Sequence, residues 1–278
     1  MSIRLITRSI WANPGNRGRR LQKTLAAVAW QIRKRTVGST RLLRLPNGML
    51  FRAHPDCVVS SALIYANWPE YRELMFLRSS LSRGEVLLDV GANVGHISLL
   101  LADCVGPANI FAFEPAPTAF ERLTENWRLN GWDTLRLVQA AVGGEPGWAY
   151  VDDVPHPTTT NRVYATALAD SSVRVPLVRL DDFREHLKGR PVGLLKIDVE
   201  GFEGSVLRGA YRLLLEDRPR IVMFESLDAQ PTPAVETILK EADYVIFQLD
   251  SGGRPDFSTL SNQNLFAIPA ELRGSLAG

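Results

Sequence analysis

The 278-residue chain is 45% hydrophobic and holds 17 prolines, enough apolar material for one large core or a core plus a small appendage, and unlike a repeat array or a disordered chain. Its net charge of +2 conceals an imbalance, because the first 55 residues carry twelve Lys and Arg and no Asp or Glu, leaving 20 basic residues to face all 30 acids. Two distant cysteines, Cys57 and Cys104, argue against a disulfide framework or zinc knuckle and fit a reducing, cytoplasmic setting; the start lacks a signal peptide's apolar core, and no run reaches the roughly 18 to 20 apolar residues of a membrane span.

In chain order, the first predicted element runs from Arg20 to Arg35. It places Leu21, Leu25, Val28, Ala29 and Ile32 on one helical face and Arg20, Lys23, Arg33, Lys34 and Arg35 elsewhere, a basic amphipathic helix. Its apolar stripe either docks on the main domain or lies on a membrane surface, which would make the protein peripheral to the inner membrane face. Such a head seeks phosphates on anionic lipid, nucleic acid or a phosphorylated carrier. We divide the chain into a basic extension over 1–55 and a folded domain over 56–278.

From Glu85 onward short apolar strands alternate with helix-length amphipathic segments, the pattern of a parallel sheet covered by helices on both faces. Strands are expected at 86–90, 109–114, 135–142, 192–199 and 220–225, and helices near 95–104, 117–130, 203–215 and 233–242. Two further strands, 244–250 and 264–269, have no helix between them and must run antiparallel. The segment from Gly143 to Arg179, with "HPTTTNR" inside it, is either a loop insertion with short strands or a lid.

The stretch "LLDVGANVGHI" over 87–97 ends the first strand of this pattern. In an open parallel sheet ligands bind beyond the carboxyl ends of the strands. Gly91 lets the chain turn and Gly95 lets the next helix begin close to a ligand, its free amides favouring an anion. A dinucleotide fingerprint needs a glycine where Asn93 stands. Glu114 ends the next strand, where it can accept hydrogen bonds from both ribose hydroxyls. Together these features suit an adenosine carrying a small carboxylate, such as S-adenosylmethionine, and Asp89 is placed to reach its ammonium directly or through water.

The phrases "LLDVGANVGHISLLLA", "IFAFEPAPTAFERLTENWRLNG", "VPLVRLDDF", "LLKIDVEGFEGSVLRGA" and "PRIVMFES" together resemble the FkbM family of S-adenosylmethionine-dependent methyltransferases over about Trp68 to Ser226. The resemblance implies a class I, Rossmann-like α/β fold and methyl transfer to a hydroxyl of a sugar, glycan or related natural product. It implies that Asp89, Gly91, Asn93, Gly95 and Glu114 line the cofactor and that Ala141, in "AAV", borders the adenine. His96 and Ser226 stand where other members often differ.

Methyl transfer from a sulfonium is an in-line displacement helped by positioning and by a base for the hydroxyl. "KIDVEG" sets Lys196, Asp198 and Glu200 at alternate strand positions, so all three point to one side if the strand stays regular. Asp198 and Glu200 are expected to bind the acceptor or act as base, the alternative being a structural Lys196–Asp198 ion pair. Glu225 ends the neighbouring strand and could join them, and three convergent carboxylates could hold Mg²⁺, although no metal is expected. His96 either faces the cofactor or covers the sheet edge; His54, His156 and His186 lack supporting signals. Trp68, Glu70 and Tyr71 either close over the cofactor or begin a helix with Pro69 in its first turn.

The expected partner is a small-molecule or glycan acceptor. No interleaving of aromatic and basic positions points to nucleic acid. The competing readings are a nicotinamide-dependent oxidoreductase or epimerase, and a membrane-surface or nucleic-acid binding protein with a degenerate Rossmann-like body.

Overall fold

A computed structural model describes residues 3–153, 163–164, 172–226 and 229–276. The chain opens with helices α1 (Ile3–Ala12) and α2 (Arg20–Thr36), a hairpin of β1 (Arg41–Arg44) and β2 (Leu50–Ala53), and helices α3 (Val58–Tyr65) and α4 (Tyr71–Ser80). There follow β3 (Val86–Val90), α5 (His96–Val105), β4 (Ile110–Phe113), α6 (Pro117–Leu129), β5 (Leu137–Val138) and β6 (Ala141–Val142). Next come β7 (Gly147–Asp152), β8 (Val163–Tyr164), β9 (Ser172–Val178), α7 (Arg184–Leu187), β10 (Val192–Ile197), α8 (Glu203–Arg208) and β11 (Ile221–Glu225). The chain continues through α9 (Pro233–Glu241), β12 (Tyr244–Leu249), β13 (Pro255–Asp256), β14 (Asn264–Pro269) and α10 (Arg273–Leu276).

Eight strands form the main sheet in the order β13-β12-β14-β11-β10-β3-β4-β5. The strands from β11 to β5 are mutually parallel, whereas β14 runs antiparallel to both of its neighbours, β11 and β12. The expected antiparallel strand is present, but it slots inside the sheet rather than extending its edge. Reversal happens at β3: the chain builds outward through β4 and β5, then returns to β10 on the other side, and this crossover point fixes where a ligand can sit.

Both faces of the sheet are covered, so β3 is buried along its whole length, as a central parallel strand should be. Leu87, Leu194 and Phe266 point into one core with Leu99 of α5 and Leu123 and Trp127 of α6. Leu88, Leu195 and Val222 point the other way, against Val206 and Leu207 of α8 and Val235 and Leu239 of α9. Ile6, Ile10, Trp30 and Phe51 belong to the first of these cores, so packing runs across residue 55.

Three expectations change. The strand foreseen at 135–142 is cut in two, because β5 pairs with β4 while β6 pairs with β9 in a separate four-stranded sheet. Three strands of that second sheet, β7, β8 and β9, are what the Gly143–Arg179 segment contributes within the described residues, the short strands of the loop-insertion alternative; "HPTTTNR", with His156, lies outside them. The helix expected over 203–215 stops at Arg208 and resumes as one π-helical turn, Leu213–Asp217.

The stripe of α2 does not dock on the domain. Leu21, Leu25, Val28 and Ile32 are 69%, 63%, 42% and 56% exposed, while Ala27 and Trp30 on the opposite face are buried. Trp30 is the anchor: its indole is fully buried, and its Nε1 finds the partner a buried N–H needs by donating to Ser61 Oγ at 3.1 Å.

Candidate active site

Asp89 lies on β3 beside Lys196 on β10, since the parallel register sets these residues opposite one another. Both are almost completely buried. Lys196 Nζ lies 3.2 Å from Asp89 and 3.3 Å from Asp198 and donates to the carbonyl of Gly91 at 2.8 Å. Burial would strip its proton, yet the two carboxylates outweigh burial and hold the amine well above its ordinary value. Asp89 also accepts a hydrogen bond from Ser98 Oγ at 2.6 Å. Its carboxylate is thus turned to Lys196 and Ser98. The foreseen Lys196–Asp198 pair is present, widened into a triad.

The glycine turn serves close packing. Gly91 has φ +72°, and a Cβ there would lie 1.9 Å from the Asp198 carbonyl oxygen, so a side chain is excluded on two counts. Gly95, also at positive φ, faces Leu123 of α6, which a Cβ would meet at 2.5 Å. Its missing side chain makes room for that helix. Asn93 adopts the left-handed conformation at φ +51°, which Asn tolerates. Its amide donates to Glu114 Oε2 at 2.8 Å, and the amide of Ala116 donates to Oε1 at 3.0 Å. Burial pushes the Glu114 carboxyl up to about 7, against the pull of these two amides.

A small cleft lies between Gly91, Asn93, Glu114, Asp198 and Glu200. Ala141 is absent from it: the side chain packs with Ala116, Ala119, Ala149 and Val175, because β6 has left the main sheet. Beyond Asp198 opens a cavity of about 220 Å³, lined among others by Glu70, His96, Lys196, Asp198, Glu225 and Asn264. Asp198 therefore walls both spaces.

The "KIDVEG" strand does not stay regular, since β10 ends at Ile197. Glu200 sits at φ +53° and turns into the cleft, while Lys196 stays in the sheet. Even so, carboxylate oxygens of Asp198, Glu200 and Glu225 lie within 4.8 Å of one another, and these three residues are the set that could hold a divalent cation. Burial opposes ionisation of Asp198, but Lys196 overcomes it and keeps the carboxyl below its usual range. Glu225 is pushed up to about 7 by burial and then by the Asp198 charge. The pair has one firm anion and one group poised to exchange a proton near neutrality.

His96 is pushed down to about 4 by burial and by Lys196, leaving a neutral imidazole whose enclosed Nδ1 has no hydrogen-bond partner. Of the "NWPEY" residues only Glu70 reaches the cavity. Trp68 lies under the Arg78 guanidinium, 4.8 Å from its ring centre, and Pro69 precedes the helix, whose first residue is Tyr71. His54 bonds Glu125 at 3.0 Å, and His186 lies against Phe183. Sequence reasoning missed Ser98, which anchors Asp89, and Asn264, which β14 brings into register with Glu225.

The Methyltransferase FkbM domain matches residues 89–246, more than half of the chain and every charged residue that lines the two cavities except Glu70. The chain belongs to the FkbM methyltransferase family. Within it, methyltransferase sdnD of Sordaria araneosa is 29% identical over 208 residues, covering 64% of this chain and 80% of that protein. Hexuronic acid methyltransferase AglP of Haloferax volcanii is 30% identical over 137 residues, 49% of this chain and 54% of its own length. The 31-O-demethyl-FK506 methyltransferase FkbM of Streptomyces tacrolimicus is 31% identical over 206 residues, 60% and 74% of the two chains. This FkbM-family chain is a methyltransferase with a class I α/β fold, and the oxidoreductase reading falls.

Proposed function

We propose that this FkbM-family protein transfers the methyl group of S-adenosylmethionine to a hydroxyl of a sugar, a glycan or a related hydroxylated natural product. The observation that carries this reading is the shared wall: Asp198 borders both the cleft at Glu114 and the cavity at Glu225, so a cofactor in one space and an acceptor in the other would meet beside a carboxylate. The cleft fits the cofactor chemically. Glu114 spends one lone pair of each oxygen on a backbone amide and keeps the others for the two ribose hydroxyls. The relatives named for a hexuronic acid and for a 31-O-demethyl acceptor support a hydroxyl on an oxygen-rich molecule.

When bound, S-adenosylmethionine supplies a methyl carbon activated by its sulfonium. The protein aligns the acceptor oxygen with that carbon, the larger part of such catalysis. Asp198, held ionised by Lys196, and neutral His96 would orient the hydroxyl, and Glu225 would accept its proton as the C–O bond forms and the methyl–sulfur bond breaks, leaving the neutral thioether S-adenosylhomocysteine.

Calorimetric titration with S-adenosylmethionine, S-adenosylhomocysteine and NAD tests the cofactor. We expect the first two to bind and Glu114→Ala to weaken them by about tenfold or more; binding of NAD alone overturns the reading. Mass spectrometry of glycans and metabolites from cells with and without the protein then identifies the acceptor by a methyl-sized difference.

A further inference from the structure

Far from the catalytic cavity, a second cavity of about 290 Å³ opens between α2, the β1–β2 hairpin and the end of α3. Four cationic side chains line it: Arg19, Lys23, Arg41 and Arg44. Among the described residues none of them has an acidic partner within ion-pair distance, and the first 55 residues contain no acid that could supply one. Arg44 donates one hydrogen bond, to the carbonyl of Gly48 at 3.1 Å. Burial, with Arg19 and Arg41 beside it, pushes Lys23 down to about 8. Arg19, Arg41 and Arg44 stay in contact with solvent while Lys23 is half-buried, so the four like charges converge on a space that an anion can enter from water and would neutralise.

We propose that this cavity is a binding site for a phosphoryl group, free or borne on a lipid headgroup, gripped by Arg19, Lys23, Arg41 and Arg44. Phosphate suits the set better than a single carboxylate, because guanidinium forks pair with its oxygens two at a time and its charge answers several cations at once. Isothermal titration of the full-length protein with inorganic pyrophosphate, and flotation with phosphatidylcholine vesicles with and without phosphatidic acid, separate the sources. Binding of either probe that the Lys23→Gln, Arg41→Gln double variant weakens by about tenfold or more, with an unchanged melting midpoint, supports the site. Pyrophosphate binding marks a soluble phosphoryl ligand, and binding of the acidic vesicles alone marks a lipid. Loss of neither in the variant, or no binding of either probe by the wild-type protein, overturns it.

The outer face of α2 has its own partner chemistry. Leu21, Leu25, Val28 and Ile32 form one exposed stripe opposite the docked Trp30, with exposed Arg33 and Arg35 on the same helix and Arg4 and Arg8 on α1. No helix among the described residues is long and apolar enough to cross a membrane. We infer that α2 lies in the surface of an anionic bilayer, stripe inward and arginines at the phosphates, the geometry of an interfacial helix. Sedimentation with vesicles of equal parts phosphatidylglycerol and phosphatidylcholine tests this. The wild-type protein should bind, and the Leu25→Asp, Ile32→Asp double variant should partition at least about tenfold less with an unchanged circular dichroism melt. Three results overturn it: no wild-type binding, equal binding by the variant, or a solution dimer that the same substitutions dissociate, which would make a second copy the partner.

Discussion

Lys196 and Lys23 are amines withdrawn from water in one chain, and their surroundings treat them in opposite ways. Lys196 sits between Asp89 and Asp198 and holds its proton more tightly than a free lysine. Lys23 sits beside Arg19 and Arg41 and holds its proton less tightly. Around Lys196 the charges compensate one another and fix the mouth of the sheet. Around Lys23 the compensation is left to something outside the fold. Pairing within the structure gives rigidity at a methyl-transfer site, where alignment matters most, whereas unanswered charge gives a surface that responds to a ligand.

That contrast can be tested by substitution, beginning with the largest effect. Lys196→Met leaves Asp89 buried without its cation and should cost about 3–5 kcal/mol of stability, read from the denaturant midpoint; a loss below about 1 kcal/mol would show the triad to be dispensable. Gly91→Ala brings a methyl group against the Asp198 carbonyl at a positive φ and should cost about 2–4 kcal/mol, by the same measurement. Glu225→Gln should lower kcat by about a hundredfold and change the pH profile. With its carboxyl near 7, Glu225 is protonated and unable to accept a proton below that pH, so wild-type activity should rise between about pH 6 and 8, and the variant should lose this rise. Lys23→Met, the counterpart of the first substitution, removes one of four crowded cations and should leave stability within about 0.5 kcal/mol or raise it. Equal losses at the two lysines would erase the distinction between them.

What the sequence reveals follows from what periodicity and strand ends determine. Strands with long apolar runs, such as β3 and β10, are legible to within a residue or two because burial on both faces makes them nearly continuous in apolar residues, interrupted only by the mutually paired Asp89 and Lys196. Glu114 and Asn93 are legible because a strand end and the turn beside it are neighbours by construction. The packing neighbours of Gly95 and Ala141 are not, since they come from Leu123 on α6 and from β9, elements whose approach no local spacing encodes. Ser98 is hidden because any helical serine looks alike until Asp89 is found beneath it. The β1–β2 hairpin carried a readable signal in "LPNGML", a Pro-Asn-Gly turn between apolar residues. The α2 stripe shows the reverse limit: periodicity finds an apolar face correctly and says nothing of whether protein or another medium covers it.

The placement of β14 also orders events during synthesis. β12 is made first, yet its links to the main sheet run through β14, so β12 has no place in that sheet until the later strand arrives between it and β11. The same arrival brings Asn264 beside Glu225 and completes the wall of the cavity of about 220 Å³. A nascent chain that has emerged only as far as β12 therefore has its glycine turn and its Lys196 triad encoded but an open acceptor side. The cavity beyond Asp198 closes only with the emergence of a single six-residue strand.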